Sequence, residues 1–560
     1  MISRFTFYTF RWQSLLFWLG TALIVGLFYL TVSTWNFGYF GFPLDDAWIH
    51  QTYARNLAHS GQLAFVPGVP SAGSTAPLWS FMLSVGYWLG IPFKIWAYGL
   101  GLIFLGLTGW TVARLGRRLF PKRPPVGLWA GLFCVFEWHL VWAAVSGMET
   151  ILFVWLSVFL VERYLAVFFL ESVGQTVSLS GRGQAPTCQP ANPSASLRTG
   201  LPFSHFLGLG ILGGLLILTR PEGLGLVGLI GLDIAYRWWR QAQTKNISAL
   251  LQNWLGIVVG VGLLLAPYML FHLWLTGQPF PNTFYAKQAE YGVVLQAYPL
   301  WWRLFGNFGP SVESVQGVFR VIFIGPQILL LPGLCFAAWL TFKERRSVLV
   351  LIWLWWISFL LLYAVRLPVT YQHGRYQIPA IPWVILLGVW GTARLLSLSP
   401  QGRHERFVMR VVRPAMALSL IVSVPAFTML VGAQAYGRDV RFIESEMVAT
   451  ARWLNEHVES DALIAAHDIG AIGYFTQRPL IDLAGLITPA VIPIIRDETA
   501  LFDFILAREA DYLVTFPSWY PDLTQNSALD PRNTTNAPWT RQAGADNMMV
   551  YQIMRPPSQP

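Results

Sequence analysis

A set of ionisable side chains sits at the ends of long apolar runs. Asp45 and Asp46 lie in "GFPLDDAWIHQ", Glu149 in "SGMET", Arg220 and Glu222 in "TRPEG", and Lys287 in "PNTFYAK"; Arg366 follows, with His373 and Arg375 in "YQHGRYQIP". A charge at mid-bilayer costs about 2.5–3.5 kcal/mol on insertion scales, so a charge kept at a membrane edge is a functional candidate. Acids and bases gathered into one wet cavity suit group transfer from a phosphate-linked donor. A carboxylate can take the proton of an attacking hydroxyl. Arg and Lys can hold a phosphate diester and the charge that it gains on leaving, Arg with two parallel bonds. A donor with an apolar tail would reach such a site through the lipid.

Each residue also has a plainer reading. The aspartate doublet can cap a helix starting at Ala47. Glu149 can be a helix N-terminal acid, "RPEG" a tight turn with an Arg–Glu pair, and Lys287 an interfacial lysine reaching for water. Arg375, between Tyr371, His373 and Tyr376 and before Pro379 and Pro382, can belong to a solvated loop. One Asp suffices for a cap, so the second argues for chemistry. For His467 and Asp468, at the end of "AAHD", a pair supporting the fold is favoured over catalysis.

The elements that must position these groups follow from composition. Of 560 residues 54% are hydrophobic and only 12% charged, with 27 Trp, and the mean hydropathy is +0.49. Soluble domains carry about 25% charged residues, so this is a polytopic α-helical membrane protein. The net charge of +10 comes in short clusters between apolar runs, "ARLGRRLFPKR", "RWWR", "KERR" and "GRHERFVMRVVR". That is the positive-inside pattern and excludes nucleic-acid binding. Cys134, Cys188 and Cys335 have neither metal-ligand nor disulfide spacing. The run from Trp12 to Val32 is too long for a signal peptide and is expected to stay as an anchor.

A span needs roughly 20 apolar residues. Spans are expected near 13–33, 95–113, 126–146, 150–170, 204–219, 223–236, 252–275, 318–340, 347–365, 379–397 and 413–433. With a cytoplasmic N-terminus, every basic cluster is cytoplasmic, provided that 77–90, short for a span, does not cross. The outer face then holds loops 34–93, 146–150, 276–317 and 366–378 and everything from residue 434. Residues 171–203, rich in Ser, Gly and Pro, read as a disordered cytoplasmic loop. The chain divides into a membrane part, 1–433, and a small α/β part, 434–560. In the latter "IESEMVATARWLNEHV" reads as a helix, and "ALIAAHD", "PLIDLAG" and "DYLVTF" as strands. Its last segment reads as loop with at most one edge strand.

In this order the motifs resemble those of polyprenyl-phosphate-sugar-dependent membrane glycosyltransferases of the GT-C fold. The resemblance is nearest to the bacterial cell-wall arabinofuranosyltransferase-like branch and reaches distantly to protein O-mannosyltransferases and aminoarabinose transferases. It is carried by the doublet, "YARNLAHSGQLAF", "AGSTAPLW", "SGMET", "RPEG", "PNTFYAK", "GRYQIPAIP" and "HDIGAIGYFTQRPLIDLAGLITP". It implies transfer of a sugar from a polyprenyl phosphate to a hydroxyl of a glycan, lipid or protein, outside the cytoplasmic membrane and with inversion. Asp45 or Asp46 would be the base; Asp45, because it precedes the helix, is favoured and Asp46 is nearly as good. Glu149 falls on the second acidic motif, and Lys287 and Arg375 on basic positions near the lipid phosphate. Arg220, Glu222, His373, Tyr53 and Arg55 are expected at the substrate, and 77–90 as a juxtamembrane helix. No cofactor is expected; a divalent metal stays open, since two acidic motifs face the cavity without metal-ligand spacing. The sequence departs from the family pattern at Val66-Pro67-Gly68, where Asn-Pro-Gly is usual, and at "SAGSTAPLW", where "EGYTSPLW" is usual; the latter bears on acceptor choice. The rival class is a transporter or flippase of a lipid-linked sugar, which would need polar residues through the depth of several spans and paired broken helices.

Overall fold

Apolar runs broken by Gly, Pro and short charged turns fold as helices that reverse at each turn. The computed structural model describes residues 2–179, 202–240, 247–306, 316–398 and 403–554. The first helices are α1 (Ile2–Phe37), α2 (Asp45–Ser60), α3 (Pro77–Trp88), α4 (Phe93–Leu119), α5 (Pro125–Phe136), α6 (Trp138–Ala144) and α7 (Thr150–Leu179). They continue with α8 (Phe203–Thr219), α9 (Gly223–Arg240), α10 (Ile247–Thr276) and α11 (Asn282–Ala297). Between α2 and α3 the strands β1 (Ala64–Val66) and β2 (Val69–Pro70) pair antiparallel.

Helices stand at all the expected span positions, yet fewer of them qualify as spans. Seven stretches among the described residues are long and apolar enough to cross a membrane: Gln13–Phe37, Phe93–Leu119, Ile247–Thr276, Pro326–Lys343, Ser347–Arg366, Tyr371–Leu395 and Arg410–His457. An eighth arises if α5 and α6, bent by 58°, form one span. That bend falls at Glu137, whose carboxylate leaves the first helix and caps the second by accepting from Leu140 N at 3.0 Å. The run expected at 171–203 begins as helix, because α7 continues to Leu179 with no proline before Pro186; residues 180–201 lie outside the described set.

Helix packing uses small residues, as expected where lipid removes the hydrophobic drive between helices. A Cβ on Gly391 would collide with the carbonyl of Gly333, so the two backbones touch. α10 instead shows Leu251, Leu255, Val258, Leu263 and Trp274 outward, an apolar face that suits lipid.

The last membrane helix does not stop at the expected boundary of 433/434. Helical turns run without a break from Arg403 to His457, through π-helical turns at Thr428–Gly432 and Glu444–Val448. Each π turn takes up an extra residue and re-aims the face that follows. The second seats the fully buried Glu446, which accepts from Asn547 Nδ2 at 2.8 Å and Met548 N at 2.9 Å.

Beyond the helix lies a five-stranded sheet of β3 (Ile464–Ala466), β4 (Leu480–Asp482), β5 (Tyr512–Thr515), β6 (Leu529–Thr534) and β7 (Met549–Ile553), in the order β4-β3-β5-β7-β6. β4, β3 and β5 run parallel; β7 and β6 are antiparallel. The terminal segment expected as loop thus supplies two strands, one inside the sheet. β6 hides behind Asp530, Pro531 and Asn533; proline fits an edge strand, and the register shifts there. One apolar core runs from the helices into one face of the sheet, where Trp48 of α2 packs on Tyr474 and Phe475 with ring centroids 5.0 and 4.9 Å apart, and a second, smaller core around Leu483, Leu501, Ile505 and Leu513 fills the C-terminal fold.

Candidate active site

Both aspartates occupy the first turn of α2, and neither caps it. Adjacent helical side chains point about 100° apart, and here they part company. Asp45 turns to the C-terminal fold, accepting from Gly470 N at 2.7 Å and Ala471 N at 2.8 Å, so it caps helix Gly470–Thr476 across 425 residues of sequence. A Cβ on Gly470 would strike the carbonyl of Asp45, which only glycine avoids. Burial and the charge of Asp468 push the Asp45 carboxyl up to about 8 against the pull of those N–H groups. Asp46 faces the other way, into a cavity of about 400 Å³. Arg375 Nη1 donates to Asp46 Oδ2. Burial opposes ionisation of Asp46, but Arg375 and then Lys287 outweigh it and hold the carboxyl well below the usual carboxylate range.

The cavity brings together Asp46, Glu149, Arg220, Glu222, Lys287, Arg366 and Arg375, from six separate turns and helices. Arg375 Nη2 donates to Tyr376 Oη at 2.8 Å, and Lys287 Nζ donates to the same oxygen at 2.5 Å. Across the cavity His50 Nε2 stands 3.2 Å from Glu149 Oε2, and Arg220 Nε 3.8 Å from Glu149 Oε1. Arg220 Nη2 also lies 3.6 Å from Glu222 Oε1 and donates to Tyr363 Oη at 2.9 Å. Tyr363 stacks on Tyr376 at 5.7 Å and joins the two groups. Apolar walls come from Ile49, Met148, Leu224, Phe280, Phe284 and Leu362. Charges in so apolar a chamber act in a low local dielectric, where they count for more than in water.

Local sequence aims these groups. The "SGMET" turn needs Gly147 at φ +77°, where a Cβ would also meet Phe42, and Trp79 Nε1 donates to its carbonyl at 2.8 Å. Arg220 leaves α8 in extended conformation, and Pro221 fixes the turn into α9. "PNT" docks α11 on the "SAGST" strip through Asn282 N to Ala72 O, 3.0 Å, and Thr283 Oγ1 to Gly73 O, 2.7 Å. Gln372, His373 and Gly374 are successively left-handed, at φ 52°, 60° and 67°. That strained run turns Arg375 inward, and strain of this kind gathers at functional sites.

Four expected site residues lie outside this cavity. Asp45, the favoured base, is the helix cap just described. Tyr53 is fully buried and hydrogen-bonds Ser71 Oγ at 2.8 Å, holding the "SAGST" strip. Arg55 Nη1 donates to the Tyr474 carbonyl at 2.5 Å and braces the C-terminal fold. His373 Nε2 pairs with Asp439 Oδ2 at 2.8 Å, which also accepts from Trp142 Nε1 at 2.9 Å. Each found a tertiary partner that spacing does not reveal. Conversely His50, Tyr363, Tyr376 and Leu486 line the cavity without having been singled out as site residues. His50 had a signal, one helical turn after Asp46 and so on the same face.

Among the described residues, no group of three or more His, Cys, Asp or Glu is placed to hold a metal ion. His467 and Asp468 lie beside the cavity, with His467 Nδ1 3.3 Å from Asp468 Oδ1 and Nε2 3.9 Å from Glu290 Oε1. Burial lowers the His467 pKa, but the hydrogen bond to Asp468 and the charges of Asp468 and Glu290 win and push it up to about 10. A raised histidine pKa adds stability that is complete below the unfolded value near pH 6.5 and is lost as pH rises through the folded one. The melting-temperature advantage of wild type over His467→Gln is therefore expected to be constant below about pH 6.5 and to shrink towards about pH 10. Thermal unfolding of both proteins across that range measures it.

A helical bundle with loops and an α/β fold enclosing a charged cavity at one end defines the class: this is the GT-C fold. ArnT from Cupriavidus metallidurans bound to undecaprenyl phosphate superposes with a TM-score of 0.55 at 14% identity, over 97% of this chain and 99% of that one. The Archaeoglobus fulgidus oligosaccharyltransferase AglB, in complex with an inhibitory peptide and a dolichol-phosphate, gives 0.53 at 12% identity over 89% and 69%. In sequence, 254 residues are 28% identical to the terminal β-(1→2)-arabinofuranosyltransferase of Mycobacterium tuberculosis (strain ATCC 25618 / H37Rv). That match takes in 44% of this chain and about a third (35%) of the relative's length. Residues 435–551 match a family model described as "Domain of unknown function (DUF8728)".

Proposed function

We propose that this protein is a membrane glycosyltransferase that moves a sugar from a polyprenyl phosphate to an acceptor hydroxyl, at the outer face of the cytoplasmic membrane and with its N-terminus inside. One observation carries the reading: an ionised carboxylate, Asp46, and two cations, Arg375 and Lys287, line one apolar-walled cavity. The fold supports it, being that of ArnT, whose structure holds undecaprenyl phosphate.

In this reading Arg375 and Lys287 take the donor phosphate, with Arg220 across the chamber. Arg375 Nε has no hydrogen-bond partner among the described residues and is free to donate. A phosphate that engages Arg375 loosens its hold on Asp46, whose carboxylate becomes more basic as the donor arrives. The acceptor oxygen then attacks the anomeric carbon from the face opposite the phosphate and forms the new C–O bond. Its proton passes to Asp46 as the C–O bond to phosphate breaks, and polyprenyl phosphate leaves with the electron pair, its charge met by Arg375 and Lys287. Glu149 and Glu222 hold sugar hydroxyls or keep Arg220 in place. A carboxylate facing two cations suits an anionic ligand rather than a divalent cation. Sugar and isoprenoid length follow from the donor test below.

The purified protein in lipid, given undecaprenyl- and decaprenyl-phosphate pentoses and hexoses, is expected to release polyprenyl phosphate from one of them. If the whole panel stays intact, or if cysteine labelling puts residue 45 and the C-terminal sheet on opposite sides of the membrane, the proposal falls.

A further inference from the structure

The sheet has a second feature that the cavity does not use. β3 pairs with β5 on one side and β4 on the other, so the chain leaves β3 in one direction and β5 in the other. Parallel sheets bind ligands in the crevice outside the carboxyl ends of strands at such a switch point. Here the segment after β3 presents His467 and Asp468, and the segment after β5 presents Trp519, its ring 4.9 Å from the His467 imidazole and 76° to it. Glu290 reaches the same place from α11, one turn after Lys287.

Trp519 is 45% exposed, although the turn bearing it is firmly held. Ser518 N donates to Asp546 Oδ2 at 3.1 Å, and Asp522 N and Leu523 N donate to Glu498 Oε2 at 2.9 and 2.7 Å. Phe516 backs the indole at 4.9 Å, and no hydrogen bond engages its N–H among the described residues. A fixed aromatic face kept open to water, with an imidazole against it and two carboxylates beside that imidazole, matches one ligand chemistry well. A sugar ring has an apolar C–H face for the indole and hydroxyls that donate to carboxylates and accept from imidazole N–H. The 3.9 Å gap between His467 and Glu290 is longer than a direct hydrogen bond.

The crevice also adjoins the cavity. Asp45, bonded to Gly470 just after Asp468, is the neighbour of Asp46. Lys287 and Glu290 share α11, and Leu486, beyond β4, forms part of the cavity wall. We propose that the crevice formed by Trp519, His467, Asp468 and Glu290 is a carbohydrate-binding subsite that seats the acceptor glycan beside Asp46. This rests on the glycosyltransferase reading for its purpose, though sugar binding itself does not.

The test is saturation-transfer difference NMR on the full-length protein in nanodiscs, with methyl pentofuranosides, methyl hexopyranosides and their disaccharides. At least one sugar is expected to receive saturation, and Trp519→Ala should weaken its binding about tenfold or more with an unchanged melting temperature. Trp519→Tyr should restore much of it, and Asp46→Asn should keep it. Saturation by none of the sugars, or saturation that survives Trp519→Ala and disappears in Asp46→Asn, overturns the subsite. Donor release by wild type, measured separately, reports on the parent reading, so the two can fail independently.

Discussion

Asp46→Asn is expected to lower sugar transfer by about 10²–10⁴-fold in kcat, the range that a positioned general base contributes. The substitution keeps the size of the side chain and an oxygen for Arg375 but removes the charge that would accept the hydroxyl proton. Donor KM should stay level or fall, because Arg375 is released from its ion pair. Asp45→Asn should behave differently. It weakens the cap on Gly470–Thr476, and losing a cap costs about 0.5–2 kcal/mol, so the loss appears in the melting temperature while kcat stays within a few-fold. Steady-state transfer and thermal unfolding on the same preparations separate the two effects. Should Asp45→Asn silence the enzyme while Asp46→Asn turns over normally, the assignment is reversed.

Arg375 carries the second large effect. Arg375→Lys keeps a charge but loses the planar fork that serves Asp46 and Tyr376 together, and kcat/KM should fall about 10²-fold. Arg375→Gln should cost more and raise donor KM. It also gives a readout that mere misfolding would not. Arg375 is the leading group that pulls the Asp46 carboxyl below its ordinary range, so without it that pKa climbs. The acidic limb of the kcat/KM profile, which reports the free enzyme, should move to higher pH in Arg375→Gln than in wild type. An unmoved limb would detach Asp46 from the proton transfer.

How far the sequence foretold this site depends on the kind of contact involved. Charges at the turns of alternating helices must share one end of a bundle, so Glu149, Arg220, Glu222, Lys287 and Arg375 could be gathered from spacing alone. Choosing between Asp45 and Asp46 could not be done locally. A rotation of about 100° separates them, and what fixes it is an N–H group at Gly470. Tyr53, Arg55 and His373 stand inside the same short motifs yet are held by Ser71, Tyr474 and Asp439. Motif membership marks the neighbourhood of a site, while the facing of each side chain is decided by packing. The span reading met a similar limit. Hydropathy sees 126–146 as one apolar run, whereas Glu137 breaks it into two helices by capping the second. In the sheet, three strands announced themselves by short apolar runs. β6 did not, since its Asp, Pro and Asn are poor strand formers, so the last segment reads as one edge strand at most where the fold takes two.

The bond between Asp45 and Gly470 has a consequence for how such a chain can vary. Two regions 425 residues apart in sequence meet atom to atom behind the acid that faces the chamber, with no space for a methyl group between them. A C-terminal module borrowed from another chain brings a different surface to residue 45 and alters the aim of residue 46 without touching it. The doublet is thus inherited as a trio, and any hybrid assembled from two such chains must carry the matching glycine along.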